Sequence, residues 1–324
     1  MEMTVMPLWA WILFYVLVIV MLMIDLKSFG RKGQHEVGVS EALKMTTVWI
    51  VVSLLFCAGI WMFYPVASHE KAMEFLAGYL IEKSLSMDNL FVFLMLFSFF
   101  GVQRKYQHEV LFWGIIGALV LRSIFIFAGT AVIARFEWVL AVFGLFLIYT
   151  GIKMFWHKED EHVDPSKNFF VKVFKRFFPV TDQMHEDKFF VKETKQRDKE
   201  TGNERWLATP LFITLIVIET TDVAFAVDSI PAVFSVSRDP FIVLTSNIFD
   251  ILGLRALYFA LAAIAKYFTY LKYGLGIILS FVGIKMLLEV FWDIEVSTTL
   301  SLAFIFGVLA LSMLAGCKKI KRKL

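Results

Sequence analysis

The chain has 324 residues, of which 59% are hydrophobic and 19% are charged, and its formal net charge is +3. Soluble globular domains are about 45–50% apolar, so this composition excludes an ordinary soluble domain, and the small net charge does not suit a nucleic-acid-binding protein. Cys57 and Cys317 are too far apart to form a CxxC motif, which excludes the common dithiol redox site.

Long uncharged apolar blocks, each near the length that crosses a bilayer as a helix, recur along the sequence. They predict an all-α, polytopic membrane helix bundle that forms a single domain over 1–324. No Lys or Arg precedes Lys27, so the first block lacks the basic start of a signal peptide and is predicted to remain as a span. We predict about nine transmembrane helices, at about 8–26, 46–64, 72–100, 110–134, 137–155, 207–235, 240–264, 273–292 and 298–317.

The basic residues indicate how these helices are oriented. If the N-terminus lies outside, the inside loops, the tail and the adjoining helix ends hold most of the 32 Lys and Arg residues. The outside loops then hold only Lys71, Arg135 and Arg238. Because Lys and Arg accumulate in cytoplasmic loops, we predict an N-terminus outside and a C-terminus in the cytoplasm.

The longest loop, about residues 156–206, is charged and is predicted to be cytoplasmic. Five apolar residues in it fall on one helical face, opposite basic residues: Phe169, Phe170, Val173, Phe174 and Phe177. This pattern fits either a short helix on the inner leaflet or a small cytosolic subdomain. Further on, Thr201-Gly202-Asn203 is typical of a turn between two polar arms.

The sequence contains two weakly similar copies of a three-helix unit, at about 72–155 and 207–292. The copies share landmarks at nearly equal spacings: Asp88, the LR motif with Arg122 and the GIKM motif from Gly151 in the first, and Asp222, the LR motif with Arg255 and the GIKM motif from Gly283 in the second. The second copy begins three spans, an odd number, after the first begins, so the copies are predicted to have opposite orientations. Inverted repeats of this kind are common in secondary transporters, where the ion site lies near the repeat interface.

Six acidic residues fall well inside the predicted spans, away from their ends: Glu82, Asp88, Glu219, Asp222, Asp228 and Asp250. A charged side chain at the bilayer centre costs about 2.5–3.5 kcal/mol, so these residues are expected to face the bundle interior and to have partners. Arg122 and Arg255 can be partners, while Lys83 and Lys285 are long enough to reach the membrane surface instead. The acids therefore form either an ion pathway or structural ion pairs with the two arginines.

Helix geometry relates the acids to one another. Glu82 and Asp88 are six residues apart, as are Asp222 and Asp228, so each pair lies on different faces of a regular helix. Glu219 and Asp222 are three apart and share a face. A six-residue pair can converge on one ion only if its helix is broken.

Pro231 predicts such a break, because proline lacks a backbone N–H and crowds the carbonyl group of Val227, next to Asp228. The freed carbonyl oxygens could then bind an ion. Other side-chain oxygens close to the acids in sequence come from Asn89, Ser229 and Asn247. None of the predicted spans places a histidine among these acids, and a set of oxygen ligands suits Mg²⁺, Ca²⁺ or Mn²⁺ rather than Zn²⁺ or Cu⁺.

Three stretches resemble the signatures of the TerC family, and within it those of the Alx branch. They are EKSLSMDNLFVF at 82–93, ETTDVAFAVDSIPA at 219–232 and TSNIFDILGLRALYF at 245–259. The resemblance extends over nearly the whole chain, and it implies a relation to the LysE-type exporters and manganese efflux across the bacterial inner membrane. It also implies that five acids carry transport: Glu82, Asp88, Glu219, Asp222 and Asp228.

We therefore expect a non-enzymatic exporter of a divalent cation, Mn²⁺, that works by alternating access, with protons as a candidate for exchange. Asp88 and Asp222 would be the central ligands, Arg122 and Arg255 would hold carboxylates that carry no metal, and Asp250 would support them. The expected partners are the metal ion and the lipid bilayer, with no nucleic acid and no bound cofactor.

Two other classes of function remain open from the sequence. An intramembrane aspartyl protease also uses two membrane aspartates, but its GxGD signature is absent from the sequence. A membrane-bound scaffold or assembly factor, linked to stress, redox chemistry or tellurium resistance, would use the cytoplasmic loop. Older descriptions of the resembled family speak of tellurium resistance and of a redox modulator.

Overall fold

The computed structural model describes residues 6–30, 38–136, 138–156, 169–181, 188–193, 205–264, 271–294 and 296–321. This part of the chain is almost entirely helical, with one two-stranded hairpin, which confirms the predicted all-α membrane bundle. The elements are α1 (Leu8–Gly30), α2 (Val39–Phe63), α3 (Ser68–Phe99), α4 (Arg104–Arg135), α5 (Trp138–Trp156), α6 (Phe169–Phe177), β1 (Phe190–Glu193), β2 (Arg205–Ala208), α7 (Pro210–Phe234), α8 (Pro240–Leu252), α9 (Leu254–Ile264), α10 (Leu271–Trp292) and α11 (Thr298–Lys321).

Within the described ranges, seven helices are long and apolar enough to cross a membrane, and the bent pair α8–α9 makes an eighth if it is counted as one span. The remaining predicted span, 72–100, corresponds to α3, which is 32 residues long but carries charged residues in its middle. It packs against α2, α7, α8 and α11 at the centre of the bundle, where Glu82 and Lys83 are buried by protein. Protein contacts therefore shield these two charges from lipid.

The predicted break at Pro231 is wrong, because α7 runs without interruption from Pro210 to Phe234. Pro231 lies in the last turn of α7, where the helix ends three residues later and little of the hydrogen-bond ladder is lost. The interruption instead falls at Gly253, between α8 and α9, where the helix axis bends by 44°. The broken segment thus belongs to the helix that follows α7.

Helices α5 and α10 approach each other closely through four glycines. A β-carbon at Gly144 would lie 2.9 Å from the carbonyl oxygen of Gly283, and one at Gly151 would lie 2.6 Å from that of Gly276. Each glycine of one helix thus faces a glycine of the other. The residue number rises along α5, from 144 to 151, as it falls along α10, from 283 to 276, so the two helices are antiparallel. An inverted repeat would produce such a contact between the equivalent helices that carry the GIKM motifs; the relation between the whole three-helix copies stays a prediction.

The described parts of the 156–206 loop, α6 and the strand β1, pack against the first turn of α7. Phe174 of α6 and Phe190 of β1 both contact Phe212 of α7, with ring centroids 5.2 and 4.5 Å apart. The backbone N–H of Thr209 donates to the carbonyl oxygen of Phe189 at 2.9 Å, which ties the hairpin to the start of α7. These contacts favour a small folded subdomain over a helix that lies alone on the leaflet.

The two hairpin strands are antiparallel, and Lys192 lies opposite Trp206 in their register. The turn predicted at 201–203 lies outside the described residues, but the strands on either side of it do pair, as that prediction requires. The side chains of Phe169, Phe170 and Phe177 also lie outside the described part of the structure.

Candidate functional site

Four buried polar side chains, each from a different helix, meet between α3, α4, α7 and α8. We call them the Arg122 cluster: Glu82 of α3, Arg122 of α4, Asp222 of α7 and Asn247 of α8. None of the four is more than 4% exposed. The cluster therefore brings together four residues that the sequence singled out, from both halves of the chain.

The guanidinium group of Arg122 joins the other three side chains. Its Nη2 and Nε donate to Asp222 Oδ1 and Oδ2 at 2.9 and 3.2 Å, and its Nη1 donates to Glu82 Oε2 at 2.8 Å and to Asn247 Oδ1 at 3.1 Å. Asn247 Nδ2 in turn donates to Glu82 Oε1 at 2.6 Å. Arginine suits this place because its planar group offers several donors in a fixed fork. One positive charge here faces two carboxylates.

Asp88 and Asp228 each follow a member of the Arg122 cluster by six residues on the same helix. Their side chains lie outside the part of the chain that the structure describes, so only their backbone is placed. Glu82 and Asp222 bind one guanidinium group, and the predicted pairing of Asp88 with Asp222 stays a prediction. Two supporting residues that the sequence singled out are also buried: Asn89 on α3, and Ser229, which lies next to Glu82.

Glu219 precedes Asp222 by three residues on the same face of α7, and its carboxyl group lies against Gly117 of α4. Its Oε2 atom is buried and accepts no hydrogen bond from the residues that the structure describes. The carboxyl group of Glu219 therefore keeps an oxygen that the protein leaves unbonded there, unlike those of Glu82 and Asp222.

A second buried ion pair lies beside the Arg122 cluster, at the bend between α8 and α9. Lys83 Nζ is 2.9 Å from Asp250 Oδ1 and donates to the backbone carbonyl oxygen of Asp250 at 3.2 Å. The hydroxyl group of Ser86 donates to the other carboxylate oxygen of Asp250. The expectation that Lys83 reaches the membrane surface is therefore wrong, because a fully buried carboxylate one helix away holds its ammonium group inside. Lys285 is buried as well, so it does not reach the surface either.

Arg255 has a different partner from the one that the sequence suggested. Its Nη2 lies 2.8 Å from Asp25 Oδ2 and donates to the backbone carbonyl oxygen of Asp25 at 2.6 Å, which joins α9 to α1. Both side chains are buried. Asp25 was missed because it lies at the very end of the first predicted span, two residues before Lys27. Its apolar neighbours Ile24 and Leu26 were the available signal.

The positions of the Glu82 and Asp222 carboxylates around Arg122 limit how a metal ion could bind to them. Among the described side chains, no group of three or more Asp, Glu, His or Cys residues is placed to hold one metal ion. Arg122 lies between the carboxylates of Glu82 and Asp222, in the position that a cation shared by both would take. A divalent cation bound by both carboxylates would therefore have to displace the guanidinium group from the same oxygen atoms.

The chain was compared with known proteins. Residues 67–324 match the description "Integral membrane protein TerC family". A relative from Photorhabdus laumondii is 45% identical over 309 residues, which are 94% of this chain and 93% of the relative, and one from Salmonella typhi is 47% identical over 305 residues, which are 93% and 91%. Both are named "Putative membrane-bound redox modulator Alx". An uncharacterized membrane protein of Myxococcus xanthus is 46% identical over 310 residues, 95% of this chain and 92% of its own length.

No solved structure matches the chain. The family match covers most of the sequence, and these relatives align with nearly all of it at more than 40% identity. The protein therefore belongs to the TerC family of integral membrane proteins.

Proposed function

We propose that this protein exports a divalent metal cation, Mn²⁺, across the bacterial inner membrane. The observation that supports the proposal is the Arg122 cluster, in which two buried carboxylates from different halves of the chain share one guanidinium group. Glu219 stands one helical turn from Asp222 with a carboxylate oxygen that is not hydrogen-bonded by any described residue. Carboxylate and amide oxygens are the ligands that Mn²⁺, Mg²⁺ and Ca²⁺ prefer.

In the proposed mechanism, the cation displaces Arg122 from Glu82 and Asp222. Asn247 contacts both Arg122 and Glu82, so it can stay bound to either group as the guanidinium moves. When the cation leaves, Arg122 returns and again pairs with both carboxylates, which offsets part of the cost of burying them. Alternating access, with protons as the exchanged ion, completes the cycle.

The direction and topology are also part of the proposal. Export, rather than uptake, and the inner membrane come from the resemblance to the TerC family and its LysE-related exporters. The distribution of Lys and Arg supports an N-terminus on the periplasmic side and a cytoplasmic C-terminus. The metal ion is the substrate in this proposal, and no resident cofactor is needed for it.

We predict that Asp222→Asn abolishes Mn²⁺ efflux while the protein stays folded in the membrane, and we predict the same for Asp88→Asn. The asparagine at 222 keeps the size of the side chain but removes the charge that a divalent cation requires. The measurement is the manganese content of cells that express each variant after a manganese load, with membrane levels of the protein checked in parallel. Normal efflux from both variants would refute the mechanism.

Glu289→Gln is the matched control for these variants. Glu289 is an acid that pairs with Arg238 at the partly exposed end of α10, away from the Arg122 cluster. The control removes one carboxylate of the same kind, so efflux at the wild-type level is expected. Equal losses in the control and in Asp222→Asn would indicate a general effect of charge rather than an ion pathway.

A second candidate function is a membrane-bound redox-related scaffold or assembly factor, because the Photorhabdus and Salmonella relatives carry a redox name. The thiol of Cys57 in α2 is partly buried and lies 3.3 Å from the carbonyl oxygen of Ala72 in α3, while the side chain of Cys317 is outside the described residues. Replacing both cysteines with alanine separates the two functions. An exporter keeps its manganese efflux, whereas a role based on these thiols is lost.

A further inference from the structure

The carboxyl group of Glu219 lies directly over the α-carbon of Gly117. A β-carbon built at Gly117 would be 2.0 Å from Glu219 Oε1, 2.4 Å from its Cδ and 2.5 Å from its Oε2. Real β-carbons do not approach other heavy atoms this closely. The space that a side chain at position 117 would fill is therefore occupied by the Glu219 carboxyl group.

The neighbouring glycine on the same helix shows that this contact is specific to Gly117. Gly114 lies one turn earlier on α4, also facing α7, and a β-carbon there would be 3.5 Å from Ile218 Cγ2, which is ordinary van der Waals contact. Helices α4 and α7 thus leave room for an alanine at Gly114 but not at Gly117. The three atoms nearest to a β-carbon at Gly117 all belong to the Glu219 side chain.

Hydrogen bonds within the described part of the protein do not fix the Oε2 atom of Glu219, although that atom is buried. Asp222, on the same face of α7, is by contrast held by two nitrogen atoms of Arg122. The shape of the pocket over Gly117 is therefore what limits where the Glu219 carboxyl group can lie.

We propose that Gly117 is a positioning residue for Glu219, and that it thereby sets how a divalent cation is bound between Glu219 and Asp222. This inference rests on the proposed transport of divalent cations. The space over Gly117 lets the carboxyl group lie against α4, the helix that also carries Arg122. The cation then meets Glu219 from one side and Asp222 from the other.

Gly117→Ala is the test of this role. The added methyl group displaces the flexible end of the Glu219 side chain, so the fold should persist while the ligand moves. Loss of a group that orients a metal ligand costs about 10–100-fold in metal affinity, and we expect the KM for Mn²⁺ in proteoliposomes to rise by about that factor. Ca²⁺ tolerates irregular coordination. The inhibition constant of Ca²⁺ for Mn²⁺ flux should therefore rise by a smaller factor than the KM for Mn²⁺.

Rescue by a shorter acid distinguishes positioning from a general packing defect. In Gly117→Ala with Glu219→Asp, the carboxyl group is withdrawn by one methylene and no longer meets the new methyl group. The double variant should have a lower KM for Mn²⁺ than Gly117→Ala alone. Gly114→Ala is the matched control and should keep the wild-type KM.

Two results would overturn the inference: a Gly117→Ala variant with the KM of Gly114→Ala, or a double variant that adds the two single losses. Absence of Mn²⁺ flux from the wild-type protein would instead refute the proposed function. In that case the thermal unfolding temperatures of the wild type, the two single variants and the double variant still test the placement. A double variant more stable than Gly117→Ala supports the contact, and additive losses of stability contradict it.

Discussion

Replacing Arg122 with glutamine is expected to lower the free energy of unfolding by about 3–5 kcal/mol, because it leaves two buried carboxylates without the group that neutralises them. Glu82 is fully buried and Asp222 is 4% exposed, so water cannot replace the lost hydrogen bonds. Arg122→Lys should recover only part of the loss, since an ammonium group cannot reproduce the forked contacts to both acids. The measurement is thermal or denaturant unfolding of the purified protein in detergent.

The control for Arg122→Gln is Arg238→Gln. Arg238 also forms an ion pair, with Glu289, but its side chain is 46% exposed, and pairs of this kind contribute about 0–1 kcal/mol. If Arg122→Gln yields too little folded protein, Arg122→Gln with Glu82→Gln and Asp222→Asn removes the unpaired charges and should restore expression. Equal stability of Arg122→Gln and the wild type would mean that the guanidinium does not neutralise these acids.

The second large effect is expected at Lys83. Replacing this lysine should lower the free energy of unfolding much more than replacing a lysine that reaches the membrane surface. Lys83→Met leaves the carboxylate of Asp250, which is 0% exposed, with only the hydroxyl group of Ser86 as a partner among the contacts described above. Removing one member of a buried ion pair costs about 3–5 kcal/mol. Unfolding in detergent measures this loss as well.

The double variant Lys83→Met with Asp250→Asn isolates the ion pair. A neutral amide at position 250 no longer requires a counter-ion, so the double variant should be more stable than Lys83→Met alone. A surface-directed lysine would give a different pattern: less than about 1 kcal/mol for Lys83→Met, and losses that simply add in the double variant. That pattern would contradict the buried contact with Asp250.

The class of fold could be predicted from the sequence because each apolar block must satisfy its own backbone hydrogen bonds in a bilayer, whatever the rest of the chain does. Long apolar blocks must form helices in a bilayer, since every backbone polar group there needs a partner within the protein. The same reasoning pointed to acids such as Glu82 and Asp222, whose burial is costly without partners. α3 was also predicted, as the span at 72–100, although it carries charged residues and lies at the centre of the bundle.

The partners of the charged residues could not be predicted, because they depend on how the helices cross. Arg122 and Arg255 occupy similar places in the two predicted copies, yet Arg122 binds Glu82 and Asp222 whereas Arg255 binds Asp25. Aligning the predicted copies on these two arginines places Gly117 opposite Asp250. In the structure that glycine accommodates the carboxyl group of Glu219.

The position of the helix break was mispredicted for a related reason. Proline removes one backbone donor and crowds the carbonyl group of Val227, but α7 continues through Pro231 to its end three residues later. The bend at Gly253 instead brings the backbone carbonyl group of Asp250 to Lys83. Sequence alone locates the proline, but the length of helix that follows it decides the outcome.

Mn²⁺ flux through the purified protein tests the central claim most directly. Proteoliposomes loaded with a metal-sensitive dye would receive external Mn²⁺, with the wild type compared with Asp222→Asn and with Mg²⁺ and Ca²⁺ as competitors. We predict saturable Mn²⁺ entry for the wild type and none above the protein-free background for Asp222→Asn. No flux through a wild-type protein that is shown to be folded and inserted would contradict the account and assign the buried acids a structural role.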